Sequence, residues 1–303
     1  MSNLYLIGIC LVIGVLLQRL RLLPKDAHTV LNIIILHVPL PAMVLLSIPG
    51  IDWDLALLGL CFVAWIIFFF AFFFFRLIGK RLHWERGTIG CLILTAGLGN
   101  TAFVGFPVIE ALYGKESLKL ALLLDQPGTF LIVSSLGIWT AVLYSSGRML
   151  KRDLARKVLL FPPFVAFFLS VVLSACGWQA TGDLKSILER LASILTPLAL
   201  ISVGLQLRPR DLKPELKYLG WGLAFKLFLA PLMIFLIYSA LEISPLVFNI
   251  AVMEAAMAPM ITASILAASH NLNPRLAGLM VGVGVPISFL SLGLWFQVMR
   301  IFN

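Results

Sequence analysis

Apolar residues fall along this chain in blocks of about 20, the length a helix needs to cross a hydrocarbon core at about 1.5 Å per residue. Charged or Pro/Gly-containing connectors divide the blocks near 3–20, 28–48, 54–77, 87–111, 117–146, 158–177, 184–207, 217–241, 245–269 and 275–300. The pattern predicts an all-α integral membrane protein of ten transmembrane helices. Five blocks stand on each side of a short connector at 147–157, giving a first half over 1–146 and a second over 158–303. With an odd number of spans per half, a duplicated second half enters the membrane in the opposite sense, so two inverted five-helix repeats are expected. A shift of 156 residues agrees: Ser135-Leu136-Gly137-Ile138-Trp139 falls on Ser291-Leu292-Gly293-Leu294-Trp295, and Pro41 on Pro197.

Composition strengthens the membrane reading. Hydrophobic residues are 61% of 303 positions and charged ones 12%, against about 25% charged in an average soluble domain. The net charge of +9 does not imply a nucleic-acid partner, because Lys and Arg sit in short clusters between apolar blocks and form no basic domain. Alternate connectors collect 17 of the 23 basic residues on one side. By the positive-inside rule that side is cytoplasmic and both termini face away from it. Trp53, Trp84, Trp139, Trp178 and Trp295 fall near block ends, where indole rings favour the water interface. The first block lacks a basic leader and a small-residue cleavage site, so it is expected to be retained. Cys10, Cys61, Cys91 and Cys176 stand singly and read as packing residues, with no metal or redox spacing.

Two blocks contain residues that oppose a continuous helix. The fourth reads Gly97-Leu98-Gly99-Asn100-Thr101-Ala102-Phe103-Val104-Gly105-Phe106-Pro107, and the ninth carries Glu254-Ala255-Ala256-Met257-Ala258-Pro259 at the corresponding place. Proline removes a backbone donor and clashes with the preceding turn, so carbonyls upstream of Pro107 and Pro259 are expected to seek a cation, water or side chain. Each second half-helix then aims its positive N-terminal end at the membrane centre, where two such ends make an anion site. Two merely kinked helices are the plainer reading, but paired placement in two halves favours the binding site.

Asp125, Lys226 and Glu254 each lie about eight to ten residues into a block, near the midplane. Insertion scales put such residues at about +2.5 to +3.5 kcal/mol each at a helix centre, so they pair, titrate or face water. An ion pair from Lys226 to Asp125 or Glu254 is its structural role; a counter-charge for substrate is its functional one. Glu254 directly precedes the expected break, where freed carbonyls joining its carboxylate make a sodium site, or where it carries a proton. Asp125, in Asp125-Gln126-Pro127-Gly128, is a second carrier or a helix support. His37, ahead of Pro39 and Pro41, reads as a satisfied packing residue, and Glu110 and Tyr113 as ordinary end-of-span residues. The phenylalanines at 68–75 read as lipid-facing bulk.

The Gly99-Asn100-Thr101 to Pro107 stretch, the Glu254 to Pro259 stretch, ten blocks and a five-plus-five layout together resemble the auxin efflux carrier family of transporters. The resemblance implies a scaffold and a transport domain, with broken spans four and nine crossing at the substrate site. It also implies small carboxylates as substrates, malate or malonate for bacterial members and indole acetic acid for plant ones. The short connector resembles the bacterial type, which implies a multi-pass protein of the bacterial inner membrane. No asparagine accompanies Pro259, a departure from a symmetric pair of asparagines.

The sequence therefore points to a secondary carrier for a small organic anion, working by alternating access. Asn100 and Thr101, with the residues at the breaks, Gly105, Pro107, Met257, Ala258 and Pro259, are the candidate substrate-binding set. Glu254 and Asp125 are the candidates for ion coupling by sodium or protons, with Lys226 in support. A cation/proton antiporter or sodium-coupled symporter on the same scaffold is the alternative. No cofactor or metal site is expected, and related scaffolds leave room for a homodimer. An enzyme is disfavoured, since the chain has no His-Glu-x-x-His, no partnered Gly-x-Ser-x-Gly and no phosphate-binding loop.

Overall fold

The structure is a computed structural model that describes residues 2–24, 26–50, 55–145, 162–206 and 213–302. The connector 147–157, Lys25, Trp53, Arg208 and Arg210 lie outside the described residues. Helices dominate: α1 Ser2–Arg19, α2 Ala27–His37, α3 Pro39–Ser47, α4 Leu55–Arg81, α5 Arg86–Gly97, α6 Phe106–Tyr113, α7 Leu118–Leu124 and α8 Ile138–Tyr144. They continue with α9 Pro162–Ala175, α10 Gly182–Ser193, α11 Leu195–Gln206, α12 Leu216–Ala224, α13 Ala230–Ser239, α14 Pro245–Ala255, α15 Ile261–Ser269 and α16 Pro274–Phe302. No strand occurs among the described residues beyond one isolated bridge. Among the described residues, six helical stretches are long and apolar enough to cross a membrane: Ala27–Ser47, Gly59–Arg81, Lys115–Tyr144, Gly182–Leu205, Leu216–Ser239 and Pro274–Phe302. Shorter apolar helices occur at Tyr5–Arg19, Thr101–Tyr113, Val165–Ala175 and Pro245–Ala255. The chain is thus a multi-pass membrane protein.

The helices form two compact units, each drawing on both halves of the sequence. The first comprises Met1–Asp54, Ala102–Leu122 and Leu159–Arg208. In it α1 packs along α11 at a glycine contact: a Cβ on Gly14 would lie 2.3 Å from the Ile201 carbonyl oxygen, and one on Gly204 2.5 Å from that of Leu11. In lipid, where helices gain nothing from excluding water, such small residues let backbones meet at van der Waals distance. The boundary between α2 and α3 falls at Val38 (φ −124°, ψ −75°), just before Pro39, and that between α10 and α11 falls at Ile194. His37 is exposed, so its packing role fails, though its ring Nδ1 is within hydrogen-bond distance of the Ile33 carbonyl oxygen at 2.8 Å.

The second unit comprises Leu55–Thr101, Leu123–Val158 and Pro209–Asn303. Here α4 packs against α5 and α14, and α15 and α16 pack against α5. Three π-helical turns, Asp125–Phe130, Val133–Gly137 and Phe225–Leu229, interrupt the α pattern. A π turn adds one residue between hydrogen-bonding partners, redirecting side chains and loosening carbonyls. Two of these turns are braced by tryptophan: Trp65 Nε1 donates to the Pro127 carbonyl oxygen at 3.0 Å, and Trp295 Nε1 to that of Leu227 at 2.9 Å.

Several sequence expectations change. The phenylalanines at 68–75 are not simply bulk facing lipid: Phe68, Phe72 and Phe75 are buried, Phe69 and Phe73 exposed. The helical period splits the run into two faces, and Phe70, Phe74 and Phe75 each meet Phe225 with ring centroids 5.0–5.2 Å apart. Trp84 and Trp295 are buried against protein, while Trp139 is exposed. Cys176 is exposed, so its packing role fails; Cys10 and Cys91 are buried as expected.

Candidate functional site

The site grows from the place where α5 stops. Its last residue is Gly97, and Leu98 turns extended (φ −119°, ψ 129°). On the other segment α14 ends at Ala255 and α15 starts only at Ile261, with Met260 extended between them. The two gaps meet. Asn100 N–H donates to the Ala258 carbonyl oxygen at 2.8 Å, and Met260 N–H donates to that of Leu98 at 3.1 Å, making an antiparallel bridge centred on Gly99 and Pro259. Pro259 has no N–H to offer, so it occupies the position of this pairing where none is required.

Of the cation, water or side chain expected for the carbonyls freed at the breaks, the structure supplies a side chain at one, and backbone amides of the opposite segment, which were not expected, at two others. Leu98 and Ala258 satisfy each other's neighbouring amides, and the Lys226 ammonium donates to the Ala255 carbonyl oxygen at 3.0 Å. Unpaired backbone groups in a dry interior are costly enough that the two interruptions close on each other. The break in the first segment also lies ahead of where Pro107 pointed. Residues Thr101–Gly105 form a further π turn, and Pro107 sits in the opening turn of α6, where a missing N–H costs nothing.

Side-chain size controls the approach. A Cβ on Gly99 would lie 3.0 Å from Lys226 Nζ, so the glycine is what lets the ammonium rest against the bridge. A Cβ on Gly284 of α16 would lie 2.8 Å from the Pro259 ring, which seats the second interruption.

Around the bridge are the ionisable groups. Asp125 is buried at the start of a π turn, with Thr101 donating its hydroxyl to Oδ1 and Gln126 donating Nε2 to Oδ2 at 2.6 Å. Lys226 is buried within the Phe225–Leu229 turn and, among the described residues, makes no direct salt bridge to either acid. Glu254 is 1% exposed, and neither carboxylate oxygen has a hydrogen-bond partner among the described residues. It lies within electrostatic reach of both Asp125 and Lys226. The arrangement is one acid held by two donors, one acid held by none, and an ammonium between backbone segments.

Asn100, Thr101, Asp125, Lys226, Glu254, Met257, Ala258 and Pro259 all fall in the second unit and all are buried. Gly105 and Pro107 fall in the first. There Pro107 lines a cavity of about 210 Å³ with Phe106, Glu110, Lys115, Thr196 and Pro197. Glu110 is more than an end-of-span residue, since its Oε2 accepts the Thr196 hydroxyl at 2.9 Å. Gln126 and Gly99 are site residues that side-chain chemistry alone did not select; the adjacency of Gln126 to Asp125 within an apolar block is the signal that marks it. No cluster of metal-ligating side chains occurs among the described residues.

Comparison with known proteins agrees with a chain built this way. Residues 1–296 match the profile of a family described as membrane transport protein. An uncharacterized transporter of Methanocaldococcus jannaschii is 27% identical over 308 aligned positions, covering 97% of each chain. One from Methanothermobacter thermautotrophicus is 29% identical over 296, covering 96% of this chain and 95% of its own. The chain belongs to the membrane transport protein family, the auxin efflux carrier family that its two interrupted segments resemble.

Proposed function

We propose that this protein is a secondary active carrier of small organic anions such as malate, malonate or auxin-like carboxylates. It has ten spans in two inverted five-helix repeats, 1–146 and 158–303, and lies in the bacterial inner membrane with both termini outside the cytoplasm. The repeat is supported by the helix boundaries at Val38 and Ile194, which stand 156 residues apart, the same offset that aligns the two Ser-Leu-Gly motifs. One helix bundle moves against the other to expose the site alternately to each side.

The observation that carries the reading is the Gly99–Pro259 bridge with Asp125, Lys226 and Glu254 buried around it. Buried charge of this kind is retained in a membrane when it serves a solute or ion. Asn100, Thr101 and the chain around Met257, Ala258 and Pro259 receive the carboxylate. Glu254 carries the coupling proton or cation, Asp125 supports it, and Lys226 supplies counter-charge. Uptake of labelled malate, malonate and indole acetic acid into proteoliposomes, with and without sodium or pH gradients, tests this. Accumulation of one of them under one gradient is expected; no accumulation or exchange under any gradient refutes the carrier.

A cation/proton antiporter is the second reading, favoured by one observation: Glu254 has no hydrogen-bond partner while Asp125 has two. Glu254→Gln separates them, leaving carboxylate binding measurable in an anion carrier and abolishing ion exchange in an antiporter.

A further inference from the structure

A second cavity, of about 320 Å³, lies in the second unit where α4 ends and α5 begins, at the opposite end of α5 from the bridge. Its construction starts with a turn. Leu82 and Trp84 donate their amides back to Ile78 and Gly79 as α4 terminates, with His83 in the left-handed region at φ 53°. This folds Trp84 over the helix end, where Gly79 provides the room: a Cβ there would lie 2.5 Å from Ile89. The cations Arg76, Lys80 and Arg86 line the cavity with His83, and among the described residues no aspartate or glutamate does. Its apolar wall is Trp84, Ile89, Leu143 and Tyr144.

Two of the cations are already oriented. Arg86 donates to the Leu143 carbonyl oxygen at 2.8 Å, and the Arg76 guanidinium stands 6.0 Å from the Phe72 ring centroid. Trp84 is 7% exposed, and its Nε1 is a buried donor with no hydrogen-bond partner among the described residues. The polar inventory is therefore rich in donors and strongly positive. Two guanidiniums and an ammonium suit a tetrahedral oxyanion with several equivalent oxygens, since guanidinium forks pair with phosphate two bonds at a time. The aromatic and aliphatic wall suits what is attached to it.

We infer that this cavity binds a phosphate group, borne on the headgroup of an anionic lipid or on a soluble phosphate ester. Its place at the end of the Gly59–Arg81 span puts it level with the membrane surface, where lipid phosphates are most concentrated.

The test uses the purified full chain. Binding of phosphatidylglycerol, phosphatidylcholine and inorganic phosphate is titrated by native mass spectrometry and by thermal shift, in wild type and in Arg76→Gln/Lys80→Gln. Each basic residue near an anionic surface is worth about fivefold in affinity, so the double variant is expected to bind phosphatidylglycerol about twenty-five-fold more weakly. Phosphatidylcholine binding should not change. If inorganic phosphate competes with the lipid and shows the same loss in the variant, the source is a soluble phosphate; if it does not compete, the source is lipid. Equal phosphatidylglycerol affinity in wild type and variant, with no protection by phosphate, overturns the site. The single variant Lys80→Gln, expected to lose about fivefold, decides the matter if the double variant does not fold.

Discussion

The two interruptions of the second unit meet residue against residue, yet they leave their acids in opposite circumstances. Beside the first, Asp125 receives a hydroxyl from Thr101 and an amide from Gln126. Beside the second, Glu254 is as deeply buried and receives nothing. The difference locates unused capacity. Protein dipoles already solvate one carboxylate, which is the condition for a fixed structural charge, whereas the other, in the role proposed for it above, keeps its coordinating ability for something that arrives and leaves. The ammonium of Lys226, spent on the Ala255 carbonyl oxygen, belongs with the fixed group.

The largest effect expected from breaking this contrast is in Glu254→Gln. Gradient-driven uptake in proteoliposomes should fall to background while the melting temperature in detergent stays at the wild-type value, because no hydrogen bond of the folded chain is lost. A melting temperature that falls with the activity would make Glu254 a structural residue and erase the distinction. Asp125→Asn should do the reverse in kind. Losing hydrogen bonds to a charged acceptor costs about 1.5–3 kcal/mol, visible as a lower melting temperature, and Thr101→Val should reproduce part of the drop. An Asp125→Asn protein as stable as wild type would place the two acids in one class. The smallest change is Gly99→Ala. The new methyl meets the end of a flexible lysine, which can give by a few tenths of an ångström, so the loss should stay below about 1.5 kcal/mol. It sharpens the picture by loosening Lys226 from Ala255 without touching either acid; a stability loss as large as that of Asp125→Asn would show the ammonium, and not the Thr101–Asp125 bond, to be the main brace.

Much of this was legible in the chain itself. Apolar blocks of membrane length are a composition signal that needs no tertiary context, and Gly97, Gly99 and Pro259 mark interruptions because glycine and proline act on the backbone locally. Asp125, Lys226 and Glu254 stand out because charge in an apolar block has few bland explanations. Of the π turns, the one at Asp125–Phe130 was signalled by Pro127, while that at Phe225–Leu229 was not legible: it meets the phenylalanines of α4 and the indole of Trp295, partners far away in sequence. The Gly99–Pro259 pairing was hidden for the same reason. Proline predicted vacated carbonyls correctly, but only the fold brings a second vacated segment to fill them. The burial of Trp84 and Trp295 was hidden too, because a position near the end of a block in sequence says nothing of which face of the helix is covered.

One consequence of that small antiparallel contact concerns motion. Sliding either strand of it by a single residue would leave amides and carbonyls unmatched inside hydrocarbon, on the order of several kcal/mol for each group. In the carrier cycle proposed above, the lowest-energy stroke therefore carries both segments as one block, and the flexing belongs at outlying joints, with the junction itself held stiff throughout.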